Sequence, residues 1–151
     1  HIESFVIGAH NDEMLPLLRH SRCDGKSLDE ILTPAMRESV LKETKQGGAK
    51  IVSCYQKGSA YFAPASGVVK ILEHLATSND DTLVCSVYTE GEYGIKDIYI
   101  GLPIKLGKKG VKHIVELSLN KQEQEMLSIS AQGVKKQVEI LKNNGLLKEG
   151  I

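Results

Sequence analysis

The sequence lacks the features that would point to a charged or membranous partner. Lysine and arginine together number 19, and aspartate and glutamate together also number 19. A chain without net charge has no global field that attracts nucleic acid or an anionic membrane surface. No apolar run approaches the length of about 20 residues that a membrane-spanning helix needs, and no signal-peptide pattern is present. We therefore expect no nucleic-acid partner and no membrane association.

Cysteine is also scarce and carries no recognisable spacing. The three cysteines, Cys23, Cys54 and Cys85, are scattered and form no CxxC or CxxH motif. This pattern is typical of reduced core thiols and argues against a disulfide framework or a zinc site. We expect a cytoplasmic protein without a bound metal. The cluster formed by Lys108, Lys109, Lys112 and His113 is interpreted as a solvated turn, not a phosphate site.

The chain has the size and composition of a single domain. Of its 151 residues 41% are hydrophobic, and no repeat, low-complexity segment or linker interrupts it. It also lacks an initiator methionine, because it begins His1-Ile2-Glu3. We interpret this as an indication of a fragment or a processed product, with one domain over residues 1–151.

The first half of the chain predicts two strands followed by two helices. Short β-rich segments favour strands over residues 4–9 and 15–22, the second ending at the turn Cys23-Asp24-Gly25. Thr33-Pro34 is a typical helix start, and this helix should reach about Tyr55. The pair Gly47-Gly48 predicts a kink, a break or a close backbone contact within it. A second helix is expected from about Ala60 to Ala76. The expected buried stripes are Met36, Val40, Ile51 and Tyr55 on the first helix, and Val68, Leu72 and Leu75 on the second.

The second half predicts antiparallel strands and a long final helix. Apolar residues alternate over residues 83–87 and 98–106, and the phase continues over 111–119 after a hairpin loop at 107–110. Pro103 suggests a sheet edge or a bulge. Asn120 and Glu123 have the spacing of a capping box, and Asn144-Gly145 should end the helix. Its buried seam should comprise Leu127, Ala131, Val134, Val138 and Leu141. We predict an α+β fold with long helices on an antiparallel sheet.

His10 is the residue whose surroundings suggest chemistry. It follows Gly8-Ala9 at the end of a predicted strand and precedes Asn11-Asp12-Glu13, a position suited to general acid–base catalysis. Three other interpretations stay open on these residues alone. The histidine can be a loop residue without chemistry, or a metal ligand with Asp12 and His20, although that spacing matches no known ligand pattern. A serine or cysteine hydrolase lacks support because there is no GxSxG motif.

Five sequence runs in order resemble the C-terminal half of the lactate/malate dehydrogenase family, in particular its lactate-dehydrogenase-like malate dehydrogenases. The runs are VIGAHNDEMLP (6–16), GGAKIV (47–52), KGSAYFAPA (57–65), EGEYGIKD (90–97), and GLP (101–103) continuing to Leu106-Gly107. The resemblance implies the α+β catalytic domain of an NAD-dependent enzyme that interconverts (S)-malate and oxaloacetate. In that family the residue matching His10 is the proton donor and acceptor. Ala60 matches a substrate-pocket position and Pro64 a position near the nicotinamide ring.

The resemblance also implies partners and parts that this sequence does not contain. No GxGxxG motif occurs, and none of the three arginines matches the family's substrate-binding arginines, so an N-terminal NAD-binding domain is expected upstream. The isolated chain should therefore be inactive, and the parent should be a homotetramer or homodimer acting on a small 2-hydroxy or 2-keto acid. An L-lactate dehydrogenase and a non-catalytic assembly domain are the alternatives. Asn11 replaces the family's usual glycine, and we expect it in a left-handed conformation.

Overall fold

The computed structural model describes residues 1–55, 58–77 and 79–147. These described residues contain eight strands: β1 (Ile2–Glu3), β2 (Val6–Ile7), β3 (Leu15–Pro16), β4 (Arg22–Cys23), β5 (Lys26–Ser27), β6 (Thr82–Glu90), β7 (Lys96–Gly107) and β8 (Gly110–Ile114). The helices are α1 (Leu28–Ile31), α2 (Pro34–Tyr55), α3 (Phe62–Thr77) and α4 (Lys121–Asn143), and a 3₁₀ turn covers Glu92–Gly94. Long helices beside antiparallel strands confirm the α+β prediction.

The main sheet is antiparallel with the order β6-β7-β8. Its central strand β7 carries the alternating residues Ile98, Ile100, Leu102, Ile104 and Leu106, all buried as predicted. The expected sheet edge at Pro103 is found locally and not for the whole strand: β7 lies between two neighbours, but Pro103 pairs with Val84 of β6 and lies one residue beyond the last pair with β8. The carbonyl of Pro103 accepts from Val115 N, one residue beyond the end of β8. A proline fits here because regular pairing with β8 has already ended on that side of β7.

The N-terminal strands are shorter than predicted. The expected strand over residues 4–9 is reduced to β2, which pairs with β3, and the expected strand over 15–22 ends at Pro16. The cause is a turn, since His20 N and Ser21 N both donate to the carbonyl of Leu17. The predicted Asp24-Gly25 turn is confirmed and connects β4 to β5, with both residues at positive φ.

Helix α4 completes the core against the sheet. It begins with the predicted capping box of Asn120 and Glu123 and ends at Asn143, with Asn144 as the C-cap and Gly145 following at φ 68°. Leu127 and Ala131 are buried and pack with the core of β2, β3, β6 and β7. The seam is confirmed over its first two turns and becomes exposed at Leu141.

Helices α2 and α3 do not bury the predicted stripes. Helix α2 has the predicted bounds, runs without a break through Gly47 and Gly48, and contains no buried residue. An added Cβ at either glycine would meet nothing within 4 Å, so the expected break and close contact are both wrong. On α3 the buried residue is His74, whereas Val68 and Leu72 are more than half exposed.

The cysteines differ from the expected core thiols. Cys54 is exposed, and Cys23 and Cys85 are partly buried, all three unpaired. Burial raises the pKa of the Cys85 thiol, which keeps it protonated near neutral pH. Within residues 1–55, 58–77 and 79–147, no helix combines the length and the apolar character that crossing a membrane requires.

Candidate active site around His10

The backbone leading into His10 is fixed by two different elements. Gly8 forms an isolated antiparallel bridge with Gly101 of β7, and its φ of 93° turns the chain out of β2. The next residue, Ala9, donates its amide to Ser130 Oγ on α4 at 2.8 Å. His10 itself is exposed. The arrangement therefore combines a buried, hydrogen-bonded approach with an accessible imidazole, as a catalytic histidine requires.

The residues after His10 form a turn that Asn11 stabilises. Asn11 O accepts from Met14 N at 3.0 Å, and Asn11 Oδ1 accepts from Glu13 N at 2.8 Å. Asn11 is not among the residues with positive φ, so the expected left-handed conformation is wrong. The asparagine is instead accommodated as an Asx turn, in which its side chain caps a backbone amide. The left-handed conformation occurs at Gly8, two residues before His10.

His10 lines an open cavity of about 1000 Å³. The cavity lies between the His10 loop, the outer part of β6 and β7, and residues of α2, α3 and α4. The described residues that line it include the cationic side chains of Lys45 and Lys70 and the carboxylate of Asp12. A space of this size accommodates a small organic acid, and the lysines favour a negatively charged one.

The other predicted site residues lie outside this cavity. Ala60 is partly buried just before α3, and Pro64 is exposed in the first turn of that helix. Neither is among the cavity-lining residues. The structure therefore does not place them together with His10.

The alternative of a metal site at His10, Asp12 and His20 gains no support from the geometry. The His20 ring nitrogen Nε2 lies 3.2 Å from Ser118 O. In the described part of the chain, no three histidine, cysteine, aspartate or glutamate side chains come together as a metal site.

Sequence reasoning missed Ser130, which is completely buried beside the His10 strand. It lies 121 residues from Ala9, and within a helical pattern a serine carries no signal of such a distant contact. The predicted seam at Leu127 and Ala131 gives one indication that Ser130 is buried, since Ser130 lies on the same face of α4.

Comparisons with known proteins identify the family of this chain. A family model described as the lactate/malate dehydrogenase alpha/beta C-terminal domain matches residues 1–144. Malate dehydrogenase of Helicobacter hepaticus is 73% identical over 147 residues, which are 97% of this chain and 47% of that protein. Malate dehydrogenase of Trichormus variabilis is 41% identical over 138 residues, covering 91% and 43% of the two chains.

Solved structures show the same fold. Malate dehydrogenase from Aeropyrum pernix matches with a TM-score of 0.86 and 33% identity, over 92% of this chain and 46% of that one. Lactate dehydrogenase from Eimeria maxima, solved with NADH and oxamate, matches with a TM-score of 0.87 and 30% identity, over 98% and 48%. The chain thus spans about half the length of the relatives it matches. This confirms the resemblance drawn from the sequence: the chain belongs to the lactate/malate dehydrogenase family and corresponds to its alpha/beta C-terminal domain.

Proposed function

We propose that this chain is the substrate-binding half of an NAD-dependent malate dehydrogenase, which interconverts (S)-malate and oxaloacetate. The observation that carries the proposal is the 73% identity to the Helicobacter hepaticus malate dehydrogenase, over an alignment that spans His10. The exposed His10 at a cavity of about 1000 Å³ supports it, because a proton-transferring group must reach the substrate.

In this proposal His10 moves the proton of the substrate hydroxyl. During oxidation, neutral His10 accepts the proton from the C2 hydroxyl of malate while the C2 hydrogen leaves as hydride. When bound, NAD would supply the acceptor for that hydride, and its reduced form would supply the hydride in the reverse direction. During reduction, protonated His10 donates a hydrogen bond to the ketone oxygen of oxaloacetate and gives that oxygen its proton while C2 receives a hydride. Histidine suits both directions because it exchanges a proton near neutral pH.

The remaining site residues are proposed on the family resemblance. Ala60 would contact the substrate, since a small side chain at this position leaves room for a four-carbon diacid. Pro64 would lie against the nicotinamide ring, and its exposed apolar surface on α3 fits a flat ring. This chain has no glycine-rich dinucleotide loop. We therefore expect the phosphates of NAD to be held by an N-terminal domain and the isolated chain to be inactive.

We also propose partners for the exposed apolar surface of helix α3. Val68, Val69 and Leu72 of α3 are each more than half exposed. Contiguous apolar surface of this kind is normally covered by another domain or subunit. We propose that the N-terminal domain and a second copy share it in a homodimer or homotetramer. The three unpaired cysteines favour a reducing compartment, which we propose to be the cytoplasm.

L-lactate dehydrogenase is the second candidate activity. The match to the Eimeria maxima lactate dehydrogenase supports it, because the two chains share the fold at 30% identity. The two candidates differ in whether a second carboxylate must be paired, which an arginine would do. Comparing kcat/KM for oxaloacetate with that for pyruvate separates them in the full-length parent protein, since the arginine is expected in its own N-terminal domain.

A chimera tests the proposal. The segment of the Helicobacter hepaticus enzyme that matches this chain is replaced by residues 1–151, and malate-dependent reduction of NAD is measured. We expect activity, and His10→Asn should lower kcat by about 10²- to 10⁴-fold because general acid–base catalysis is lost. His113→Asn is the matched control, since this exposed histidine on β8 does not line the cavity.

An inactive chimera that still folds and binds NADH would contradict the proposed function. Equal activity of the His10→Asn and His113→Asn chimeras would contradict the role of His10. If His10→Ala alters neither turnover nor oligomeric state, the assembly-domain alternative is favoured instead.

A further inference from the structure

We propose that Ser130 is a positioning residue for His10 and acts through the backbone amide of Ala9. The inference rests on the proposed function, because it concerns how the proton-transferring histidine is held. Ser130 makes no contact with the substrate in this proposal. Its hydroxyl sets where the chain emerges from β2 and thus where the imidazole reaches the cavity.

The contact is buried and highly specific in its geometry. Ser130 is 0% exposed, and its Oγ accepts from Ala9 N at 2.8 Å. A Cβ added to Gly8 would lie 2.7 Å from the same oxygen. The hydroxyl therefore packs directly against the backbone of the two residues that precede His10. A buried amide needs an acceptor, and Ser130 supplies it to Ala9.

The backbone on either side of Ala9 is held by other contacts, whereas the amide of Ala9 is held by Ser130. Gly8 is tied to β7 through Gly101, and Glu13 N donates to Asn11 Oδ1 within the following turn. Helix α4 approaches the loop a second time, because a Cβ added to Gly133 would collide with the Glu13 carboxylate. The His10 loop therefore packs against α4 at both of its ends, at Ala9 and at Glu13. At the first end the contact is the hydrogen bond to Ser130.

Removing the hydroxyl should misplace the histidine while leaving the fold intact. In Ser130→Ala the Ala9 amide loses its acceptor and the loop can shift away from α4. A displacement of about 1 Å at a reacting group lowers turnover by up to about 100-fold. Binding of NADH, which depends on other residues, should not change.

The test uses the active chimera with Ser130→Ala, and Ser128→Ala as the matched control. Ser128 lies on the same helix two residues earlier and is exposed. We expect Ser130→Ala to lower kcat between about 10- and 100-fold with little change in the KM for malate. The primary isotope effect on kcat with malate deuterated at C2 should increase, because a slower proton and hydride transfer occupies a larger share of the turnover time. Ser128→Ala should change neither quantity.

A second measurement reports the contact independently of turnover. Hydrogen exchange of a peptide covering residues 6–14 should accelerate in Ser130→Ala and stay unchanged in Ser128→Ala. If Ser130→Ala lowers activity only in proportion to lost folded protein, with an unchanged isotope effect, its role is structural and the inference is wrong. An unchanged kcat overturns it as well. If instead the unsubstituted chimera is folded but inactive, the proposed function fails and the positioning role fails with it, whatever the exchange rates.

Discussion

Gly8 and Gly101 exchange two backbone hydrogen bonds across the gap between β2 and the central strand β7. Gly8 N donates to Gly101 O at 2.8 Å, and Gly101 N donates to Gly8 O at 3.1 Å. A Cβ added to Gly101 would lie 2.8 Å from the Gly8 carbonyl oxygen. The segment that leads from β2 to His10 can approach the sheet this closely because Gly101 lacks a side chain.

Substituting Gly101→Ala should therefore separate β2 from β7. The neighbour is backbone and cannot move aside as a flexible side chain would. We expect the free energy of unfolding to fall by about 1–3 kcal/mol, as in other overpacked sites. Urea denaturation of the chain measures this. An unchanged unfolding midpoint would show that β7 accommodates the methyl group and would contradict the close approach.

At Gly47, the same change from glycine to alanine should raise the free energy of unfolding, whereas at Gly101 it should lower it. Gly47 lies within α2, does not have positive φ, and has open space where a Cβ would be. Replacing an interior helical glycine by alanine should raise the free energy of unfolding by about 0.5–1 kcal/mol. The same denaturation experiment checks this, and a loss of stability would indicate that α2 is packed more closely at Gly47 than the structure shows.

The sequence predicts elements best where local signals and burial agree. The alternation in β7 and the capping box of α4 identified both elements with nearly correct bounds, because side-chain periodicity and end chemistry acted together. The apolar residues of α2 and α3 predicted buried stripes that are exposed. The periodicity of a helix shows which residues share a face, but it does not show what covers that face.

The candidate site was predicted only in part for the same reason. The local sequence marks His10 as one candidate among several interpretations, the family resemblance assigns its role, and the structure places it at a cavity. The segment before His10 is held by two distant residues, because Ser130 is 121 positions from Ala9 and Gly101 is 93 positions from Gly8, and no local pattern reveals such contacts. The effect of Asn11 was also misjudged, because an asparagine can stabilise a turn through its side chain without adopting positive φ.

Tyr93→Phe should destabilise the segment between β8 and α4. The Tyr93 hydroxyl donates to Val115 O at 2.9 Å and accepts from Leu117 N at 2.7 Å. Loss of both hydrogen bonds leaves two backbone groups without these partners, and we expect a cost of about 1–3 kcal/mol. Tyr99→Phe is the matched control, since Tyr99 is 65% exposed. Equal unfolding midpoints for the two variants would contradict the role of the Tyr93 hydroxyl.

The last prediction concerns the pH dependence of the contact between Arg19 and Glu123. Arg19 Nη2 lies 2.8 Å from Glu123 Oε2, and the same carboxylate oxygen accepts from Asn120 N at 2.8 Å. Partial burial raises the pKa of Glu123, but the hydrogen bonds from Arg19 and Asn120 and the attraction to Arg19 lower it more. The pKa of Glu123 therefore lies below its ordinary value of 4.5.

A depressed carboxylate pKa stabilises the folded chain above the pKa of the unfolded state. This contribution should be complete at neutral pH and should be lost as the pH falls from about 4.5 through the lower folded-state pKa. Glu123→Gln retains an acceptor for Asn120 N but removes the ion pair, so we expect a loss of about 0.5–1 kcal/mol at pH 7, because Arg19 is partly solvated. The difference from the unsubstituted chain should shrink as the pH falls below about 4.5 and vanish once the pH lies below the folded-state pKa. Urea denaturation at a series of pH values measures both, with Glu125→Gln, exposed on the same helix, as the control. A destabilisation that persists unchanged to pH 3 would show that Glu123 acts through packing and not through its charge.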